Sequence, residues 1–185
     1  QSFDAWKSSL QKEATAWDIL HPTAWKTNLP KLEKMEDGSL FASGDFTKRD
    51  VYDLNFSSEE PITALRIEAI PDERLPDLGP GRSYYEGRKG LFFLSEVNLQ
   101  ASDGTTLEFN TPLASGGNGA DKISDGDGSS GWSAAIGAEQ HIILPLKKPL
   151  PANQAFSMSL LFERHFVASL GRFRISATSS SKKPK

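Results

Sequence analysis

Short turn signals recur along almost the whole chain, and they limit most strongly what it can fold into. Gly next to Asp, Asn, Ser or Pro interrupts a helix and favours a tight turn. Among 185 residues there are 15 Gly and 11 Pro. The turn signals are Asp37-Gly38, Ser43-Gly44-Asp45, Pro71-Asp72, Gly79-Pro80-Gly81, Asp103-Gly104, Gly116-Gly117-Asn118-Gly119 and Asp125-Gly126-Asp127-Gly128. Strands separated by turns at intervals of roughly 8–12 residues are typical of β-sandwiches and barrels.

The segments between the turns alternate apolar and polar residues, which is the period of a half-buried strand. This pattern is present in residues 65–69, 156–160 and 172–176. Residues 91–94 and 142–146 are more continuously apolar, as expected of strands at the centre of a sheet. With no helical period between them, these segments predict an all-β fold, an antiparallel β-sandwich.

The ends of the chain differ from the middle. Phe3, Trp6 and Leu10 follow helical spacing, which predicts a short amphipathic helix over residues 3–13. We therefore divide the chain into a helical lead-in at residues 1–14, a β-sandwich domain at 15–178 and a flexible basic tail at 179–185. Because the chain begins at Gln1, we expect it to be a processed or excised piece of a longer protein.

Composition excludes several classes of protein. Lys and Arg number 21 against 24 Asp and Glu, a net charge of -3, whereas nucleic-acid-binding domains usually carry a basic excess. Cys is absent, which excludes disulfides, thiolate metal sites and cysteine nucleophiles. Apolar runs reach about four or five residues, against the roughly 20 that span a bilayer. We expect neither nucleic-acid binding nor membrane insertion.

The chain lacks the short motifs of the common catalytic classes. Its histidines, His21, His141 and His165, are far apart and show no metal-ligand spacing. There is no Gly-x-Ser-x-Gly motif and no phosphate-binding loop. Carboxylates on or beside predicted strands can in principle form the pair that glycoside hydrolysis needs; they are Glu68, Glu86, Glu96 and Glu163. We predict that the domain is not an enzyme and keep a glycan-active enzyme as one alternative.

The loop at residues 81–90 combines aromatic residues with Gly and charge. Tyr84 and Tyr85 lie between Arg82 and Glu86, and Arg88 follows. Loop aromatics flanked by Arg are good candidates for ligand binding, so these five residues are the predicted ligand-binding set. In the alternative interpretation, Arg82 and Glu86 pair with each other and stiffen the loop. Trp17 and Trp132 lie in strand-like contexts and are predicted to be core residues.

The acidic loop at residues 121–132 has two interpretations. Asp125 and Asp127 alternate with Gly, a pattern that offers hard oxygen ligands to Ca²⁺. An EF-hand is excluded, because the Glu at its twelfth position and the flanking helices are missing. Alternatively the loop is a tight turn whose Asp side chains cap their own backbone while Trp132 fills the core.

A series of motifs resembles a segment of large planctomycete and verrucomicrobial surface proteins that also contain a cytochrome-c-like domain. The resemblance covers about residues 15–178. It rests on Ile62-Thr63-Ala64-Leu65-Arg66-Ile67-Glu68, Gly79-Pro80-Gly81-Arg82, Tyr84-Tyr85-Glu86-Gly87, Phe92-Phe93-Leu94-Ser95-Glu96, Ser124-Asp125-Gly126, Gly131-Trp132 and Leu170-Gly171-Arg172-Phe173-Arg174-Ile175-Ser176.

The segment also resembles the galactose-binding-like jelly roll of discoidin and many carbohydrate-binding modules. That resemblance implies a structural calcium at Asp125 and Asp127, with Glu96 as a further ligand. One departure is that the last strand carries Arg172 and Arg174 where discoidin-type modules often have a Glu. A guanidinium there would repel a cation, so the site uses Glu96 or holds no ion.

Together these features predict a non-catalytic carbohydrate-binding module of a larger exported protein at the cell surface, in the periplasm or outside the cell. Its expected partners are a polysaccharide or glycan and neighbouring domains of the parent chain. A structural or docking domain without glycan binding is the first alternative.

Overall fold

A computed structural model of the chain describes residues 15–135 and 139–181. The helix predicted at residues 3–13 and the end of the predicted tail, residues 182–185, lie outside the described residues. In the described part, no helix is long and apolar enough to cross a membrane.

Strands account for nearly all the regular structure in the described part. They are β1 (Asp18–Leu20), β2 (Ala24–Thr27), β3 (Lys31–Lys34), β4 (Leu40–Ser43), β5 (Asp50–Phe56), β6 (Ile62–Ala69), β7 (Phe93–Leu94), β8 (Glu96–Ala101), β9 (Leu113–Ala114), β10 (Trp132–Ser133), β11 (Gln140–Leu150), β12 (Phe156–Phe162) and β13 (Arg172–Thr178). Two 3₁₀ turns, Pro76–Leu78 and Ala120–Lys122, complete the regular structure described.

The strands form two main antiparallel sheets. The larger is seven-stranded in the order β3-β4-β13-β6-β11-β9, with β1 also paired to β13. The smaller is four-stranded in the order β2-β5-β12-β8, and β10 pairs with β7 in a short ribbon. The sheets pack face to face, since Tyr52 of β5 stacks on Phe173 of β13 with ring centroids 5.6 Å apart. The predicted all-β antiparallel sandwich is confirmed.

The segments with alternating apolar and polar residues form strands because one face of each strand packs against the core. In β12, buried and half-buried residues alternate without exception, so the apolar side chains of Phe156, Met158 and Leu160 enter the core. Such burial stabilises a domain by roughly 25 cal/mol per Å² of apolar surface removed from water.

Of the two tryptophans predicted to be core residues, one is buried in the core and the other is only half-buried. Trp132 is fully buried and packs edge-on against Phe92, and its indole N–H donates to the Gly116 carbonyl at 2.8 Å. Trp17 is only half-buried, so the core prediction is wrong for it. It precedes the edge strand β1, and its ring packs under the Arg66 guanidinium, 4.8 Å from the ring centroid.

The polar side of β6 and β13 carries a network of ion pairs. Glu68 accepts hydrogen bonds from Arg174 at 2.9 Å and from Ser176 at 2.9 Å. Arg172 bonds Asp72 and Asp37 at 3.1 and 2.7 Å. Both arginines of the last strand therefore have carboxylate partners, Arg174 on β6 and Arg172 in the turns beside the larger sheet.

Candidate functional site

Four loops meet in an open cleft at one end of the smaller sheet. The cleft has a volume of about 340 Å³. Its lining residues are Lys48, Glu86, Gly128, Ser129, Glu163, Arg164 and His165. The loop at residues 81–90 contributes Glu86, and the acidic loop contributes Gly128 and Ser129.

The strand register places residues 163–165 in the cleft. β12 ends at Phe162, which pairs with Asp50 at the start of β5, while Leu161 pairs with Glu96 at the start of β8. The chain leaves the sheet at this point, and the Glu163 N–H donates to the Ser95 hydroxyl at 3.1 Å. The loop after β12 therefore lies beside the beginnings of both neighbouring strands.

Each Glu of the cleft is already paired with a cation or a histidine. Glu163 accepts a hydrogen bond from Arg49 at 2.8 Å. An oxygen of Glu86 lies 2.6 Å from His165 Nδ1. The His165 ring is held between Tyr84 and Phe93, with centroids 5.0 and 5.2 Å away. The side chains are thus fixed by contacts between different loops.

The cations of the cleft are arranged differently. Arg164 is exposed and donates a hydrogen bond to the Ser129 carbonyl. Lys48 is exposed, and within residues 15–135 and 139–181 it has no hydrogen bond or ion pair. The N–H groups of Lys48 and Arg164 that make no bond within the described part of the chain are free to donate to a ligand.

Exposed aromatic side chains border the cleft. Tyr85 is 81% exposed and Phe166 is 40% exposed. Their rings meet edge to face at 6.2 Å, and the Tyr85 N–H donates to the Phe166 carbonyl at 3.1 Å. Each of these residues directly neighbours a lining residue in the chain, Glu86 or His165.

The same two loops carry unusual backbone angles. Tyr84 has φ 94° and Val167 has φ 58°, a region that side chains with bulky or β-branched groups rarely adopt. Such conformations cost about 1–3 kcal/mol each and concentrate at functional sites. They therefore support the cleft as the functional site.

Arg82 does not face the cleft. It is 5% exposed, and it donates to the Gly44 and Asp45 carbonyls at 2.6 and 3.0 Å. Asp50, whose pKa is raised by burial, lies 3.8 Å away. The structure therefore places Arg82 in support of the loops rather than on a ligand surface. It also corrects the alternative in which Arg82 pairs with Glu86, because Glu86 pairs with His165 instead.

The other predicted binding residues lie at or near the surface. Tyr84 is half-buried against His165, while Tyr85, Glu86 and Arg88 are exposed. The missed residues are Lys48, Arg164 and His165, and Glu163 had been considered only as one carboxylate among several. For Glu163, Arg164 and His165 the sequence signal is a cluster of charge directly after strand β12.

The acidic loop has the hydrogen bonds of a self-capped turn. Asp125 accepts from the Asp127 N–H at 2.9 Å and from the Ser130 hydroxyl at 2.8 Å. Asp127 accepts from the Ser129 N–H at 2.9 Å. These bonds, together with buried Trp132, are those of the tight-turn interpretation.

Glu96 does reach this loop. It is 6% exposed and accepts from the Gly126 N–H at 3.1 Å. Burial, and then the neighbouring Asp125, raise the pKa of Glu96 to about 7. Asp127 turns its carboxylate to Ser129, and no group of three or more potential metal ligands occurs among the described residues. Calcium at Glu96, Asp125 and Asp127 stays a prediction.

Comparisons with known proteins yield only distant structural neighbours. No family model and no curated protein matches the chain. Three solved structures of the catalytic domain of GH87 alpha-1,3-glucanase in complex with nigerose are similar to it, at 12% identity and a TM-score of 0.39. The match covers 93% of this chain and 30% of each of those chains. The functional proposal therefore depends on the site itself.

Proposed function

We propose that the protein is a non-catalytic carbohydrate-binding module of a larger exported or cell-surface protein, and that the cleft binds the glycan. The observation that carries this proposal is the open cleft of hydrogen-bonding side chains directly beside the exposed Tyr85–Phe166 pair. The motif series described above supports export and the surface location.

This arrangement suits the chemistry of a sugar. A pyranose ring has an apolar C–H face that packs on an aromatic ring, and hydroxyls that both donate and accept hydrogen bonds. Lys48, Arg164 and Ser129 supply donors, and the carboxylates Glu86 and Glu163 supply acceptors. Tyr85 and Phe166 supply the apolar surface.

A glycan array followed by calorimetry tests the proposal. We expect Tyr85→Ala and Phe166→Ala each to weaken binding about fivefold to tenfold, because an aromatic contact contributes about 0.5–1.5 kcal/mol beyond its area. Trp25→Ala, an exposed aromatic on edge strand β2, is the matched control and leaves affinity unchanged. Failure of the wild type to bind any glycan, with self-association instead, would favour the docking alternative.

One observation favours glycan hydrolysis as a second candidate function. Glu86 and Glu163 line the same cleft, as a pair of catalytic carboxylates must. Their close partners, His165 and Arg49, favour binding over catalysis because both carboxylates are already engaged. Release of reducing sugar from a bound glycan, abolished in Glu86→Gln and Glu163→Gln, would establish the enzyme.

Calcium has its own test. An ion that binds only the folded state stabilises it by mass action, by about 2.7 kcal/mol at one hundred times the dissociation constant. A calcium site predicts a lower melting temperature in EDTA for the wild type and no response in Glu96→Gln. The same melting temperature with calcium and with EDTA would leave the self-capped turn as the full account of this loop.

A further inference from the structure

The formal charges of the cleft lining sum to zero, since Lys48 and Arg164 match Glu86 and Glu163. The chain has a net charge of -3. Yet the two carboxylates that line the cleft, Glu86 and Glu163, contact His165 and Arg49 at 2.6 and 2.8 Å. Both carboxylates therefore already have a close partner within the protein.

The cations that line the cleft are not balanced in the same way. Lys48 has no ion pair in the described part of the chain, and Arg164 bonds a backbone carbonyl. Hydrogen bonds from Ser129, and then the charge of Arg164, lower the pKa of Asp127. At least one full positive charge thus remains for a ligand.

The same loop that supplies Glu86 adds further cations. Arg88 and Lys89 are exposed, and their side chains make no hydrogen bond or ion pair with any described residue. Opposite charges at a binding site raise both the encounter rate and the specificity for a charged ligand. The unpaired cationic side chains of Lys48, Arg88 and Lys89 are complementary to an anion.

We infer that the glycan bound by the cleft is anionic and carries carboxylate or sulfate groups. This inference rests on the proposed function. Lys48 and Arg164 bind the charged groups, since charge-assisted hydrogen bonds are roughly twice as strong as neutral ones. Tyr85 and Phe166 contact the sugar rings.

Matched polymers separate the two sources of charge. Calorimetry with dextran, carboxymethyl-dextran and dextran sulfate keeps the backbone constant, and polygalacturonate against its methyl ester repeats the comparison on a second backbone. We expect at least tenfold tighter binding to a charged polymer than to its neutral partner, weakening as salt increases. The polymer that binds more tightly shows whether the cleft recognises carboxylate or sulfate groups.

Charge-removing variants distinguish the cleft from general attraction. We expect Lys48→Gln and Arg164→Gln each to weaken binding of the preferred acidic polymer about tenfold. Lys26→Gln, at an exposed Lys on edge strand β2 that does not line the cleft, removes the same charge and changes affinity less than twofold. Equal effects of all three variants would overturn the inference.

The outcomes also separate this inference from the proposed function. Binding to neutral glycans that depends on Tyr85, with no preference for acidic ones, refutes the anionic ligand and keeps the module. Binding to no polymer or array glycan refutes both.

Discussion

Two Glu residues, one in each sheet, are buried to nearly the same extent but have opposite pKa shifts. Glu68 of the larger sheet is 4% exposed and Glu96 of the smaller sheet is 6% exposed. Burial raises the pKa of both. At Glu68, hydrogen bonds from Arg174 and Ser176 and the charge of Arg66 outweigh burial, and the pKa is lowered. At Glu96 the closest charged neighbour is Asp125, and the pKa is raised to about 7.

The difference shows that the partner, and not the depth of burial, decides the charge of a carboxyl group in this fold. Around Glu68 the ion pairs hold strands together, and the region is a fixed part of the sandwich. Around Glu96 the buried carboxyl group lies against the acidic loop, which contributes the exposed Asp125 and forms one wall of the cleft.

The largest expected effect is at Glu68. Glu68→Ala leaves two guanidinium groups of the sheet without their partner, and breaking a buried pair costs about 3–5 kcal/mol. We expect the free energy of unfolding in urea to fall by about 3 kcal/mol with an unchanged slope. As control, Glu163→Ala removes the exposed pair with Arg49 and should cost below about 1 kcal/mol. Equal losses in the two variants would contradict the distinction between the two regions.

A smaller effect is expected at Glu96, and it depends on pH. Because the folded-state pKa of Glu96 is raised from 4.5 to about 7, its contribution to stability is complete below pH 4.5 and is lost as the pH rises through 7. Glu68 has the opposite sign, since its contribution is present above pH 4.5 and is lost as the pH falls through its lowered pKa.

Glu96→Gln isolates the pH-dependent contribution of Glu96 to stability. The amide oxygen can still accept from the Gly126 N–H, while the amide nitrogen donates to Asp125. We expect the variant to be more stable than the wild type by about 1–2 kcal/mol at pH 8 and equal to it near pH 4. Denaturation curves across this range measure the difference, and a difference that does not vary with pH would rule out the raised pKa.

The smallest effect is expected at the edge of the Glu68 network. Trp17→Leu removes the ring beneath the Arg66 guanidinium, and such a contact contributes about 0.5–1 kcal/mol at an exposed site. We expect a decrease in unfolding free energy of that size and no change in glycan binding. A loss of binding in Trp17→Leu would connect the two regions and contradict their separation.

Sequence patterns predicted the parts of the fold that depend on residues close together in the chain. Alternation in β12 and β13 reports directly which side chains face the core, so these strands were predictable. Trp132 was predictable as well, because it follows a turn and fits a core position. Trp17 was not, since its neighbour Arg66 is distant in the chain and only strand pairing brings the two together.

The cleft shows the same limit, because contacts between residues distant in the chain cannot be predicted from local patterns. Two of its walls, the loops at residues 81–90 and 121–132, could be predicted, because Gly, charge and aromatic residues mark exposed loops. The part played by His165 could not, since it depends on where β12 ends relative to β5 and β8. Arg82 was misjudged for a related reason. Its loop looks exposed, but the bridge between Gly81 and Leu170 fixes that end of it against the sandwich.

The hydrogen bonds between the loops also determine how the cleft moves. The N–H groups of Arg82, Tyr85 and Phe93 all donate to carbonyls of the loop after β12, at 3.0, 3.1 and 2.8 Å. The Arg82 side chain joins the loop at Gly44 and Asp45 to the same assembly. Segments connected in this way open together as one cooperative unit. In hydrogen-exchange measurements these three amides should share one opening free energy, and a bound ligand should slow all three by the same factor.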